Sequence, residues 1–493
     1  MSKEKEAEHK ADKKQEAGQD TKARILLPVI LVALYALVHI VLIAKHEIWR
    51  DEAYVWVLAK NGSLTDTLKE MSLVGHPGLW FFYLRIFALI GFPFRWIGFL
   101  SLVPTTVALW LLLTDRHQSL SVRFLLFVSP LFMFFNAVIC RPYCFSVLFL
   151  VLLLRWYPER AEKPFRYCLA AALLAQTHVV FAGFCLGILI ELFGYGKKKG
   201  KKVYGALGVL LAGLAALALQ LWQWDPENTT RQVNAQTLME KFTAADIKEG
   251  LESLFLYNNR FVGWFLFALM ILLLVYFSLA AFRHRGKERF RAVIPAVFGV
   301  LFFIAVVCLI RPVEHEQMGI CLLMILFYLF AASLTDFKGT GTKEQLLAFC
   351  FLAVFVLSGA RYTLKGAWQD LTQPYSGSLE AAQQLKEQLP EGAVLALVED
   401  QSMEAPYAYL SEKRGDLKYI NVDRNEDYSF FLWKSGKAKD EERLARLNAL
   451  DGDHVYLLIN REFTEGLLPQ ETLCFQSSRP SRWNEDYYLY RVR

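Results

Sequence analysis

Apolar runs near the length of a membrane span, separated by short polar connections, set the pattern of the chain from Ile25 to about Ala360. A helix needs about 20 apolar residues to cross a hydrocarbon core of about 30 Å. Runs at 25–44, 96–114, 120–138, 143–156, 166–180, 181–195, 203–222, 261–282, 291–310, 317–335 and 345–360 predict about eleven spanning helices. The run PGLWFFYLRIFALIGF at 77–92 departs from the pattern. At about 1.5 Å per residue it reaches only about 24 Å, and its central Arg85 would cost about 2.5–3.5 kcal/mol in lipid. With Pro77 at a first helical position, it reads as a helix lying in the outer interface.

Beyond Arg361 the period changes. Leu379–Leu389, Met403–Leu410 and Glu441–Leu450 have helical spacing, whereas Val394–Val398, Leu417–Val422, His454–Ile459 and Tyr487–Val492 are short apolar strands. The alternation predicts a compact α/β domain at 362–493. The predicted fold class is an all-α polytopic membrane domain at 25–361 with this small α/β domain at its C-terminal end.

Charge orients the helices. With 77–92 kept out of the bilayer, Lys197, Lys198, Lys199, Lys201, Lys202, Arg283, Arg285, Lys287, Arg289 and Arg291 fall on the same side as residues 1–24. The positive-inside rule makes that side cytoplasmic. The first loop 45–95, the loop 223–260 with its amphipathic stretch Ala244–Leu256, and the C-terminal domain are then extracytoplasmic. Residues 1–24 read as a disordered cytoplasmic tail without an apolar signal region. The net charge of +6 sits in these connections and forms no basic face for nucleic acid. A 55% hydrophobic composition and a mean hydropathy of +0.28 agree with a multi-pass protein, and the polar tail favours a bacterial plasma membrane. Most cysteines lie inside apolar helices, and Cys474 stands alone in the C-terminal domain, so no disulfide staples that domain.

The first outer loop carries the candidate chemistry. Asp51 and Glu52 open a predicted helix, where carboxylates favour the positive end of the dipole, and Ala53, Trp56 and Val57 give it an apolar face. Asn61-Gly62 interrupts it, and Ser63 with Asp66 predicts a capping box for a second amphipathic helix ending near His76-Pro77.

The run RDEAYVWVLAKNGS…GHPGLWFFYLRI resembles the signature of the GT-C membrane glycosyltransferases, in the branch of the protein O-mannosyltransferases and bacterial aminoarabinose transferases. The resemblance covers about 25–195, and the family's usual His-Pro-Pro is His76-Pro77-Gly78 here. It implies a sugar donor carried on a polyprenyl phosphate and a glycan, protein or lipid acceptor hydroxyl on the extracytoplasmic face. The leaving phosphate is a stable anion. Such a reaction therefore needs a carboxylate to take the hydroxyl proton and cations to hold the phosphate. The resemblance assigns Asp51 as that carboxylate, with Glu52 positioning the acceptor or holding a cation. Arg141, His76, His178, Arg311, His315 and Arg85 are the candidate donor-phosphate and substrate contacts, with interfacial snorkelling as the alternative for all but His76. Arg95 is a weaker candidate of the same kind.

No cofactor is predicted. Glu314, His315 and Glu316 are too closely spaced to share one helical face, while a divalent cation at Asp51, Glu52 or His76 stays open. Two other classes compete: a transporter or flippase for lipid-linked saccharides, and a non-catalytic accessory protein. Transporters place polar groups near the midplane of pseudo-symmetric halves. The acidic pair here lies at a helix end, and no halves are visible in the sequence.

Overall fold

The computed structural model describes residues 25–74, 76–222, 260–283, 291–310, 316–336, 343–432, 438–464, 467–468 and 472–493. The tail 1–24, the stretch Ala244–Leu256, and Arg311, Glu314 and His315 lie outside the described residues. Six described helices are long and apolar enough to cross a membrane: Ile25–Lys45, Phe94–Leu113, Lys201–Gln220, Phe261–Ala280, Gly319–Asp336 and Gln345–Thr372. Leu34, Leu37 and Val38 on the first of these (α1) are exposed. Such an apolar face without protein cover is what a bilayer covers, and the chain is a multi-pass membrane protein.

After α1 come the loop helices α2 (Arg50–Asn61), α3 (Leu64–Val74) and α4 (Gly78–Leu89). Ser63 and Asp66 form the expected reciprocal cap, with Ser63 N 2.9 Å from Asp66 Oδ2 and Asp66 N 3.1 Å from Ser63 Oγ. The 12 residues of α4 extend only about 18 Å, short of a crossing. The membrane domain continues with α5 (Phe99–Leu113), α6 (Leu120–Phe127), α7 (Tyr143–Trp156), α8 (Pro164–Ala175), α9 (Ala182–Lys199) and α10 (Lys201–Gln220). It is completed by α11 (Arg260–Arg283), α12 (Val293–Ile310), α13 (Glu316–Asp336) and α14 (Lys343–Thr372).

Two expected spans are corrected. The run 120–138 is not one helix. It stops at Phe127 because Pro130 has no N–H to continue the ladder. Buried Asn136 then satisfies the unwound carbonyls of Pro130 and Leu131 at 3.2 and 3.1 Å. Apolar side chains alone cannot reveal this, because the broken segment is as buried as a helix. The run 345–360 belongs to a helix that continues to Thr372, past the expected domain boundary at 361. Arg361, Lys365 and Asp370 end its apolar stretch without ending its hydrogen bonds.

Close helix packing depends on small residues. Gly183 and Gly187, one turn apart on α9, face α12. A Cβ on Gly187 would lie 2.6 Å from Pro295 Cα, and one on Gly183 2.6 Å from the Phe298 carbonyl oxygen. In a membrane, where burial supplies little drive between helices, such backbone approach provides the dispersion contacts.

The C-terminal domain contains α15 (Ser378–Gln388), α16 (Glu404–Ser411) and α17 (Asp440–Ala449) around a six-stranded sheet. Its strands are β1 (Val394–Leu397), β2 (Lys418–Asn421), β3 (Glu426–Asp427), β4 (Val455–Ile459), β5 (Leu473–Gln476) and β6 (Tyr488–Arg491), in the order β3-β2-β1-β4-β6-β5. β2, β1 and β4 are parallel, with Val394 opposite Lys418 on one side and Val455 on the other. β1 and β4 are buried throughout, as parallel strands covered on both faces must be. β3 and β5 were not expected: one has two exposed acidic residues, and the other is exposed at three of four positions.

Candidate active site after the first membrane helix

The domain sits on α2. Ser378 Oγ donates to the Ile48 carbonyl at 2.6 Å, Asn61 Nδ2 donates to the Ser429 carbonyl at 2.7 Å, and the Tyr409 ring packs edge-on against Phe94 at 4.7 Å. These bonds hold the chain leaving α1 between the membrane helices and the sheet.

Asp51 faces the junction, its side chain 15% exposed. Arg141, in the turn between the broken segment and α7, places Nη1 3.3 Å from Asp51 Oδ2 and 3.1 Å from the Asp51 carbonyl. Gln401, in the turn after β1, donates from Nε2 to Asp51 Oδ1 at 3.2 Å. Both carboxylate oxygens are therefore oriented, one by each domain.

Arg141 Nη2 lies 3.1 Å from His76 Nε2. A guanidinium only donates, so Nε2 accepts and the His76 ring is neutral, with its proton on Nδ1. The His178 ring lies 4.8 Å from His76 and stacks 5.8 Å from Tyr143. Its Nδ1 accepts from Val180 N at 3.2 Å. Burial, reinforced by Arg141, pushes the His178 pKa down to about 3. Two neutral imidazoles thus flank one fixed cation.

Asp51, Arg141, His76 and His178 are brought together, and the other described candidates, Glu52, Arg85 and Arg95, are placed elsewhere. Glu52 points away from Asp51 and is fully buried. Its Oε2 lies 2.9 Å from His46 Nε2 and 3.3 Å from Trp49 N, and its Oε1 accepts from Cys140 N at 2.5 Å. With these three contacts on its oxygens and no exposed surface, Glu52 organises the chain around Asp51. Arg85 donates to the Gly62 carbonyl at 2.8 Å, tying α4 to the end of α2. Arg95 caps the end of α1, with Nη2 2.8 Å from the Ala44 carbonyl and Nη1 2.9 Å from that of His46. Among the described residues no three His, Cys, Asp or Glu side chains are grouped to hold a metal ion.

Sequence reasoning missed His46, Asp370, Gln401 and Glu485. His46 Nδ1 lies 3.0 Å from Asp370 Oδ1, so its two ring nitrogens bridge two buried carboxylates from distant parts of the chain. Burial opposes charge on the ring, but Asp370 and then Glu52 outweigh it and carry the pKa to about 10. Glu485 accepts from Arg50 N at 3.3 Å and is fully buried. Burial lifts its carboxyl to about 8, against the pull of Arg50. The only sequence signal for these groups was His46 itself, six positions before Glu52.

No family model matches this chain, and no curated protein is similar to it in sequence. Among solved structures, the crystal structure of ArnT from Cupriavidus metallidurans bound to undecaprenyl phosphate overlaps it with a TM-score of 0.49 and 10% identity, over 95% of this chain and 98% of that one. The apo form of that protein gives 0.45 and 11% over the same shares.

Proposed function

We propose that this chain is a membrane glycosyltransferase moving a sugar from a polyprenyl-phosphate-linked donor to an acceptor hydroxyl on the extracytoplasmic face. What carries the reading is the reachable Asp51 carboxylate, oriented through both oxygens beside the Arg141 guanidinium at the end of the first span. The motif resemblance across this loop supplies the donor class.

In the proposed reaction the acceptor oxygen bonds to the sugar's anomeric carbon as the bond from that carbon to the phosphate oxygen breaks. The electron pair leaves with the phosphate, and the acceptor proton passes to Asp51. Arg141 exchanges part of its contact with Asp51 for the phosphate as charge grows there, the role in which a charge-assisted bond is most effective. Neutral His76 holds the guanidinium without adding charge of its own, and neutral His178 packs against His76. Glu52, held by His46, keeps the start of α2 in register so that Asp51 points at the junction.

The test supplies membranes containing the wild type or Asp51→Asn with radiolabelled polyprenyl-phosphate sugars. Label entering a polar product with the wild type alone is the expected result and names the sugar. Equal transfer by both proteins removes Asp51 from the chemistry.

A further inference from the structure

The turn that carries His76 is tied to the turn that carries His178 by a chain of side-chain amides. Gly78 opens α4 and is buried, so its N–H needs a partner that the helix itself does not supply. Gln220, the last residue of α10, accepts that N–H on Oε1 at 2.6 Å. Its Nε2 donates to Gln176 Oε1 at 2.9 Å, and Gln176 Nε2 donates to the Gly213 carbonyl at 2.8 Å. Gln176 closes α8, two residues before His178. The His178 ring lies 4.8 Å from that of His76, itself two residues before Gly78, and this contact completes the circuit.

Helix packing alone does not require these amides. α8 and α10 already meet at Gly213, where a Cβ would stand 2.6 Å from Ala172 Cβ. What the amides add is a connection from that contact to the site. It depends on the residue that departs from the His-Pro-Pro pattern, because a proline at position 78 would have no N–H to give. The approach there is close: a Cβ on Gly78 would lie 3.2 Å from Gln220 Oε1. On the other side Thr177, between Gln176 and His178, accepts the Ser146 hydroxyl on Oγ1 at 2.8 Å, which fixes that turn to α7. Arg141 Nη2 donates to His76, so the circuit ends on the guanidinium.

We propose that Gln220 and Gln176 are positioning residues for the donor phosphate: their amide chain holds the His76 and His178 turns in register and so aims the Arg141 guanidinium at that group. The inference rests on the transferase reading above, in which Arg141 holds the phosphate. A carboxamide donates at one atom and accepts at the other, and each glutamine uses its nitrogen and its oxygen in the chain. Cutting either link therefore loosens the same turn. Both glutamines act through the histidine turns rather than on the lipid itself.

The test compares the affinity of the full chain in lipid nanodiscs for undecaprenyl phosphate and for undecaprenol, which has the same tail without the phosphate. The wild type is expected to prefer the phosphate. Gln220→Leu and Gln176→Leu should each lower that preference about tenfold, with undecaprenol binding unchanged. Because both residues serve one chain, the double variant should lose no more than the worse single one. Gln220→Asn keeps an amide too short to span both partners, and it reads the same loss should leucine disturb the fold. Full preference retained in both single variants, additive losses in the double variant, or equal weakening of the two lipids overturns the positioning role. A wild type that binds both lipids equally instead removes the phosphate role of Arg141, and with it the reading on which the inference rests.

Discussion

Replacing His46 with glutamine should cost about 3–5 kcal/mol, because it removes the cation between two carboxylates, Glu52 and Asp370, whose side chains are both 0% exposed. The titration of the ring gives a similar figure. A rise from 6.5 to about 10, at about 1.4 kcal/mol per unit, corresponds to about 5 kcal/mol. The sign follows from the direction. The folded-state pKa lies above the unfolded one, so the stabilisation is complete below about 6.5 and is lost as pH climbs toward 10. Thermal unfolding of the detergent-solubilised full chain, followed by tryptophan fluorescence from pH 6 to 10.5, reads both effects. His46→Gln should unfold about 5 °C or more below the wild type at pH 6, with the gap closing as the pH approaches 10. A variant with the wild-type midpoint, or a gap independent of pH, would refute the account of His46 as a buried imidazolium holding the loop to α14.

A buried acid beside Arg50 gives an opposite test. Glu485 has its pKa raised to about 8, so its protonated form favours the fold and its contribution is lost as pH rises through that value. Glu485→Gln should therefore be close to wild type at pH 5 and more stable at pH 9, by a few kcal/mol in denaturation midpoints. Arg141→Lys keeps the charge but loses the fork spanning Asp51 and His76. Transfer should fall about 100-fold in a radiolabel assay while the protein still folds. Gly187→Leu puts a side chain into the Pro295 backbone of α12. A loss of about 1–3 kcal/mol, or failure to purify as a monodisperse species, is expected by thermal unfolding and size exclusion.

Much of this architecture is legible in the sequence, because its signals are local. Apolar length marks α1 and α10, and Ser63 with Asp66 marks the start of α3. The buried apolar runs of β1 and β4 stand out against the polar C-terminal segment. The break after α6 was hidden because Asn136 repairs it with bonds from a single buried side chain, leaving the hydrophobic pattern intact. The site was half legible. The acidic pair and His76 lie in one recognisable loop, and Arg141 stands at a predicted helix end. Nothing local distinguishes the roles of Asp51 and Glu52, which are adjacent in sequence. Asp370, from 324 positions beyond His46, helps decide which carboxylate is buried. Gln401 lies 350 positions from Asp51, where only tertiary structure brings the two together.

The central claim is that Asp51 acts on the acceptor proton while Arg141 holds the donor phosphate. The most direct test measures undecaprenyl-phosphate binding and sugar transfer on the same preparations of wild type, Asp51→Asn and Arg141→Ala. The account predicts that Asp51→Asn binds the lipid phosphate normally and loses transfer by about 100-fold or more, and that Arg141→Ala loses both. Transfer by Asp51→Asn at the wild-type rate, or undiminished lipid binding by Arg141→Ala, would contradict it.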